Sequence, residues 1–254
     1  MKLLEILINK KIIIFLLYFN FFKLIFKKLK LYYLVKSKMF GKFYIYLPRH
    51  LNFLFKQQYE RETIKFVVSK LKKYDKNKYF IDVGANIGIY SLFFKKKFDS
   101  KIELFEPDKN NIALLNKTKS LNKFKFFKIH KFCLSNTNGK KNFLIDDIRG
   151  MTGTLADTRN YIQEYQKLKN TTVVTTKRFD DFHTINKQIF LIKVDVEDHE
   201  IEVIEGMCKA IRFYKPMLII ESNSSNIKII KNKINNLGYK CKFIAKDLNY
   251  VFYQ

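Results

Sequence analysis

The sequence predicts a doubly wound α/β domain with a mostly parallel sheet, and three observations carry that prediction. From residue 59 onward, short apolar runs alternate with stretches whose apolar residues recur at helical spacing. One such run, Tyr79–Val83, flows into a tight glycine turn, Gly84-Ala85-Asn86-Ile87-Gly88, and then into a helical pattern. Two strand-like runs, Lys240–Ala245 and Asn249–Phe252, follow the last helix and read as an antiparallel pair.

Each element has its own signal. Ile64, Val67, Val68 and Leu71 share one face, so Tyr59–Lys73 reads as an amphipathic helix. The first strand, Tyr79–Val83, is followed by a helix from Ile87 to Lys96. Lys101–Phe105 is the second strand and Asn110–Ser120 the next helix, with Ile112, Leu115 and Leu121 directed inward. Phe124–Phe132 reads as the third strand. An insertion over 136–188 carries strand-like Phe143–Ile145 and Thr171–Thr176, and Asp180 and Asp181 read as helix caps. Ile189–Val194 has the apolar character of a fully buried parallel strand. His199–Met207 is helical and Met217–Ile220 is the next buried strand. Ser224 or Ser225 caps a helix that turns Ile227, Ile230, Ile234 and Leu237 inward and closes at Gly238.

Hydrophobic residues make up 47% of the 254, enough for a sizeable core. The formal charge of +26 would suit nucleic acid, an anionic membrane or acidic substrates. The excess is almost all Lys, spread along the chain, and reads first as compositional bias. Three widely spaced cysteines, with no C-x-x-C, suggest neither zinc nor a disulfide framework, and point to a reducing, cytoplasmic compartment.

Residues 1–58 differ in style and read as a basic, apolar helical extension, with the main domain over 59–254. Ile12–Phe19 is unbroken and apolar; Asn20, Lys23, Lys27 and Lys30 then fall on one helical face, with Phe21, Phe22, Leu24, Ile25, Leu29 and Tyr32 on the other. A spanning helix needs about 20 apolar residues, and Asn20 and Lys23 interrupt this one. No small-residue cleavage site follows it. Three readings stay open for residues 1–35: a helix lying on the anionic inner face of a membrane, an extra helix packed on the domain, or, less favoured, a membrane-spanning anchor.

The glycine turn narrows the ligand. Dinucleotide folds use G-x-G-x-x-G, but Asn86 stands where the middle glycine would meet a pyrophosphate, and no third glycine follows. No phosphate-binding G-x-x-x-x-G-K-[ST] occurs either. Glu106 ends the second strand 22 residues after Gly84, where a carboxylate accepts from both ribose hydroxyls of an adenosine ligand. Asp82 closes the first strand and orients either the turn or the charged end of such a ligand. Ligands in open α/β sheets bind at the carboxyl ends of strands, which puts Asp195, Glu197 and Glu221 in place to act as general base or to position an acceptor. Lys193 alternates onto the side of Asp195 and needs an anionic partner, in the site or as a structural pair. His199 reads first as a helix-start cap or surface residue, with a role as base left open, and the absence of H-E-x-x-H (position 203 is Val) speaks against a metal. Arg149 to Thr154 read as a loop over the acceptor pocket or an ordinary surface turn.

FIDVGANIG, ELFEPDKNN, LIKVDVEDHEIEVIEGM and MLIIES, with RETIKFV ahead of them and CLSNTNG and RFDDF between, resemble the successive blocks of FkbM-type methyltransferases over residues 60–254. The resemblance implies a class I methyltransferase (Rossmann-like) fold, S-adenosylmethionine as cofactor, and transfer to an oxygen, often of a sugar or other small molecule. It implies that Gly84, Ala85, Asn86 and Gly88 line the cofactor, that Glu106 holds its ribose, and that Cys133 and Leu134 lie near its adenine. The family's block usually continues D-V-E-G; here Asp198 and His199 follow Glu197, which reshapes the loop beside the acceptor or lets Asp198 cap the next helix. The expected partner is a small-molecule or glycan acceptor. Nucleic acid is disfavoured, because there is no [DN]-P-P-[YFW] loop and no Pro-Cys pair among prolines 48, 107 and 216. RNA ribose methylation and an inactive binding protein on the same fold are the rival readings.

Overall fold

The structure is a computed structural model that describes residues 32–47, 49–50, 53, 59–71, 78–145, 153–155, 171–183 and 188–254. An antiparallel hairpin, β1 (Tyr32–Ser37) and β2 (Gly41–Tyr46), comes first. Helix α1 (Arg61–Lys70) leads to β3 (Tyr79–Val83), α2 (Ile89–Phe98), β4 (Lys101–Phe105), α3 (Lys109–Asn122) and β5 (Phe127–His130). The insertion contributes β6 (Cys133–Leu134), β7 (Gly139–Leu144), β8 (Thr154–Leu155) and β9 (Thr171–Lys177). Then come β10 (Ile189–Val194), α4 (Glu200–Gly206), α5 (Cys208–Tyr214), β11 (Met217–Glu221), α6 (Ser224–Ile234), β12 (Lys240–Ile244) and β13 (Asn249–Tyr253).

Seven strands form the main sheet in the order β12-β13-β11-β10-β3-β4-β5. β3, β4, β5, β10 and β11 are parallel, and β13 runs antiparallel to both of its neighbours. The doubly wound, mostly parallel sheet expected from the sequence is therefore present. Its strands are covered on both faces, as parallel strands require. Alternate residues feed opposite cores: Phe80, Leu104 and Leu191 join one, and Ile81, Phe105 and Ile192 the other. The strand order reverses between β3 and β10, which places the ligand-binding crevice at their carboxyl ends.

A second sheet, β6-β9-β7-β8, gathers the insertion's strands and rises beside that crevice. The expected strands at Phe143 and at Thr171–Thr176 are its β7 and β9.

The helical extension expected over 1–58 is corrected for residues 32–46, which form the hairpin. Gly41 turns it at φ 84°, and the strands YYLVKS and GKFYIY are rich in aromatic and β-branched residues that suit a pleated surface. Its inward residues Phe43 and Ile45 join the core. β2 also docks on α3 through Tyr44 N–H donating to Thr118 Oγ1 (3.1 Å) and Asn122 Nδ2 donating to the Lys42 carbonyl (2.7 Å). Residues 1–31, with their apolar run and basic face, lie outside the described residues. Among the described residues no helix is long and apolar enough to cross a membrane.

Smaller differences have local causes. Leu121 is exposed on α3, and Leu114 takes the inward place instead. The third strand starts at Phe127 because Lys123 and Phe126 adopt left-handed φ values of 52° and 51°. The cap of α6 is Asn223, whose side chain accepts from the Ser225 and Asn226 N–H groups.

Candidate active site

The turn after β3 is shaped first by protein backbone. Gly84 has φ 75°, and a Cβ there would lie 1.8 Å from the Asp195 carbonyl oxygen. Its N–H and that of Ala85 both donate to the Phe105 carbonyl, at 3.1 Å each, binding the turn to the end of β4. Gly88 has φ 78°, and a Cβ there would press on Leu115 at 2.8 Å. These glycines let β3, β10 and α3 approach one another. The turn's placement at the strand ends follows from that packing.

The strand ends line a cavity whose open space, its mouth to solvent included, is about 610 Å³. Of the residues expected to bind a cofactor, Gly84, Asn86, Glu106, Cys133 and Leu134 line it. Ala85 and Gly88 are buried in or near the turn and are not part of its wall. Asp82 is also outside the wall: buried under the turn, its Oδ2 accepts from Ser91 Oγ (2.6 Å) and Ser91 N–H (3.2 Å) and so ties β3 to the first turn of α2. Burial raises the Asp82 carboxyl, while Lys193 and Ser91 pull it back. Asp82 thus orients the turn, one of the two roles expected of it.

Glu106 is buried at the cavity's centre. Its Oε2 accepts from Asn86 N–H (2.7 Å) and its Oε1 from Asp108 N–H (2.8 Å), fixing both oxygens against the wall. Burial, with Asp108 beside it, pushes this carboxyl up to about 8 despite those N–H groups and Arg49. Each oxygen keeps a lone pair for a further donor. Burial also raises the Cys133 thiol, so this side chain is an uncharged part of the wall. Phe143 and Leu155, from β7 and β8, add apolar surface opposite Pro107. Thr154 secures that flap by donating from Oγ1 to the Glu197 carbonyl (2.6 Å); residues 149–152 of the expected loop lie outside the described residues.

Asp195 and Glu197 line this cavity and also a second one, of about 1260 Å³, whose wall includes Glu221. The three residues expected to act on an acceptor are thus brought together. Lys193 is buried in β10, and its Nζ donates to Asp195 Oδ2 at 2.6 Å. Burial alone would lower this ammonium, but Asp195, Glu60, Asp82 and Glu221 outweigh it and hold the proton firmly. Burial and the neighbouring Asp195 push Glu221 up to about 9. The Asp198-His199 departure is also resolved. Glu197 and Asp198 have φ 54° and 71°, so the chain needs left-handed residues where the family carries glycine. Asp198 does not cap α4, which has no side-chain cap; its Oδ1 accepts from Asn223 Nδ2 (2.5 Å). His199 stands at the N-cap position of α4 without a side-chain capping bond; it is buried, with Nε2 3.0 Å from Ser135 Oγ, which corrects the expectation of a surface residue.

Three polar wall residues escaped the sequence reading: Arg49, Asp108 and Asn111. Asp108 had a legible role as N-cap of α3, accepting from Asn110 N–H (2.7 Å). Arg49 had no signal at all, since it follows β2 in a stretch without periodicity and meets the cavity only through tertiary packing.

Comparison with known proteins agrees with this geometry. The family model described as the methyltransferase FkbM domain matches residues 82–241. No curated protein matches the chain in sequence. Among solved structures, the chain is similar to a methyltransferase FkbM from Methylobacillus flagellatus KT, with a TM-score of 0.53 and 17% identity. That match covers 73% of this chain and 46% of the other, so the chain spans less than half the length of that protein. It also matches the precorrin-6y C5,15-methyltransferase of Geobacter metallireducens GS-15 (TM-score 0.43, 8% identity, 76% of this chain and 88% of that one). A third match is the N-terminal domain of human METTL16 in complex with SAH (TM-score 0.43, 11% identity, 81% and 69%). At such identities the FkbM structure speaks for the fold, which is that of class I methyltransferases. The family model extends from Asp82 beneath the turn, through both carboxylates shared by the cavities, to Cys241 in an edge strand, and the chain belongs to the family of FkbM-domain methyltransferases.

Proposed function

We propose that this methyltransferase uses S-adenosylmethionine to methylate a hydroxyl of a glycan or other small molecule. The observation that carries the reading is the junction of two cavities at Asp195 and Glu197, one suited to an adenosine, the other to a hydroxylated acceptor. The side chains lining the first cavity suit the donor chemically. Its apolar residues Pro107, Leu134, Phe143 and Leu155 suit a base, and buried Glu106 suits vicinal ribose hydroxyls. Arg49 also carries buried polar atoms without hydrogen-bond partners there. When bound, S-adenosylmethionine supplies an electrophilic methyl on a sulfonium.

The second cavity combines carboxylates with Ser222, Asn223 and the rings of Phe243 and Tyr250. Acceptors of hydrogen bonds beside apolar surface suit a polyhydroxylated molecule, whereas the acids oppose a phosphate backbone. RNA therefore gains no support from this cleft, in spite of the chain's net charge.

In this reading Asp195 takes the acceptor's hydroxyl proton on its carboxylate, which Lys193 holds in place from below. Glu221, protonated at neutral pH, donates a hydrogen bond and does not serve as base. Holding the reactants in line contributes about 7–11 kcal/mol in favourable cases, and a positioned base about 10²–10⁴-fold. The test has two arms. Calorimetric titration should show S-adenosylmethionine binding to the wild type and at least tenfold weaker binding to Glu106→Ala. Asp195→Asn should keep donor binding and lower methyl transfer by about a hundredfold or more. A wild type that binds no S-adenosylmethionine would overturn the donor assignment. Transfer of labelled methyl to nitrogen or carbon would overturn the acceptor class.

A further inference from the structure

We infer that Arg49 and Asn111 read the adenosine half of the methyl donor, an inference that rests on the donor reading above. Arg49 lies outside the span matched by the family model, in the segment that leaves β2. Its side chain is buried in the cavity wall and ion-paired through Nη2 to Asp108. Its Nε and Nη1 are buried and make no hydrogen bond; buried Asn111 on α3 lies against the His50 side chain, and its Oδ1 keeps a lone pair for a further donor. A buried guanidinium with unpaired donors is costly. Both line one wall of one cavity, beside Glu106. A ligand that offers acceptors to Arg49 and a donor to Asn111 satisfies them together.

The segment is built to hold the guanidinium still. The His50 N–H donates to the Tyr46 carbonyl at 2.9 Å, and the Tyr46 N–H donates to His50 Nδ1 at 3.2 Å. Burial, with Arg49 beside it, pushes His50 down to about 3, so the ring stays neutral and keeps that lone pair. The Asp108 pair fixes the other end of Arg49. Such a rigid, planar fork suits directional hydrogen bonding better than a flexible ammonium.

The local charge selects which end of the donor is read. The Arg49 charge is already met by Asp108, and Glu106 beside it is an uncharged carboxyl below about pH 8, so a carboxylate would face Asp108 with no net cation to offset it. Neutral acceptors, a ring nitrogen or a ribose oxygen, face no such penalty, and an adenine amino group or ribose hydroxyl supplies a donor to the open lone pair of Asn111 Oδ1. The donor's amino-acid end therefore belongs elsewhere.

The test uses the full-length protein, with S-adenosylmethionine and 5′-methylthioadenosine (the donor's adenosine half with its sulfur) as calorimetric probes. Arg49→Lys keeps a cation for Asp108 but removes the fork; Asn111→Leu removes the acceptor at similar volume. Each should weaken both probes by the same factor, about tenfold for Arg49→Lys and about threefold for Asn111→Leu, with unchanged melting of the ligand-free protein. Unchanged affinities in both folded variants overturn the inference. A loss confined to S-adenosylmethionine, with methylthioadenosine unaffected, also overturns it, because Arg49 would then serve the amino-acid end. A wild type that binds neither probe overturns the donor reading itself and this inference with it. If Arg49→Lys melts below the assay temperature, the Asn111→Leu comparison decides.

Discussion

A methyl group at Gly84 would meet the Asp195 carbonyl at 1.8 Å, in a residue already at φ 75°. Neither strand can yield, because β3 and β10 are the central pair of the sheet and Asp195 N–H donates to the Val83 carbonyl at 3.1 Å. Gly84→Ala should therefore cost ~3 kcal/mol or more in stability, read as a lowered urea midpoint. A loss under ~1 kcal/mol would show that the two strands can separate at no great cost. Asp198 is the contrasting case. It holds φ 71° with a side chain, and Asp tolerates the left-handed region better than most residues. Asp198→Gly and Asp198→Ala both lose the bond from Asn223, so their difference isolates the backbone. The alanine variant should be less stable than the glycine variant by ~1 kcal/mol. Equal stabilities would mean that the loop relaxes out of the left-handed region.

The strand–turn–helix from Tyr79 was legible because its signals are local: an apolar run, two glycines and a helical repeat. Glu106 was legible by its distance along the chain. The hairpin was not, since Tyr32 also completes a helical face in the sequence, and six-residue strands give little period to read. What decides for strand is tertiary, namely the docking of β2 on α3 and the burial of Phe43 and Ile45. The same limit hid Arg49 and hid the way β7 turns Phe143 toward the donor cavity. The hairpin's role can be measured. Phe43 is 2% exposed in the main core, so Phe43→Ala should destabilise the whole protein by ~3–5 kcal/mol in a single transition. An unchanged main transition would show that the hairpin folds apart from the sheet.

At the scale of the molecule, the charge is divided. The chain carries +26, yet acids gather where the parallel strands end: Glu106 in the donor cavity, Asp195 and Glu197 at the junction, Glu200 and Glu221 in the second cleft. Packing these acids together raises several of them. Burial is the largest cause each time, and it pushes Glu200 to about 7, Glu106 to about 8 and Glu221 to about 9, from an ordinary 4.5. Between 4.5 and each raised value the folded protein holds a proton that the unfolded chain has lost, so stability falls as pH rises. His50 acts in the other direction, because its folded value of about 3 lies below the ordinary 6.5, but its contribution is complete once pH exceeds 6.5. Melting temperature should thus decline steadily from pH 6.5 to 9. Glu106→Gln should flatten the decline below about pH 8, and Glu221→Gln should flatten it up to about pH 9. A wild-type melting temperature that rises over the same interval would contradict this account, because it would require these carboxyls to be ionised in the fold.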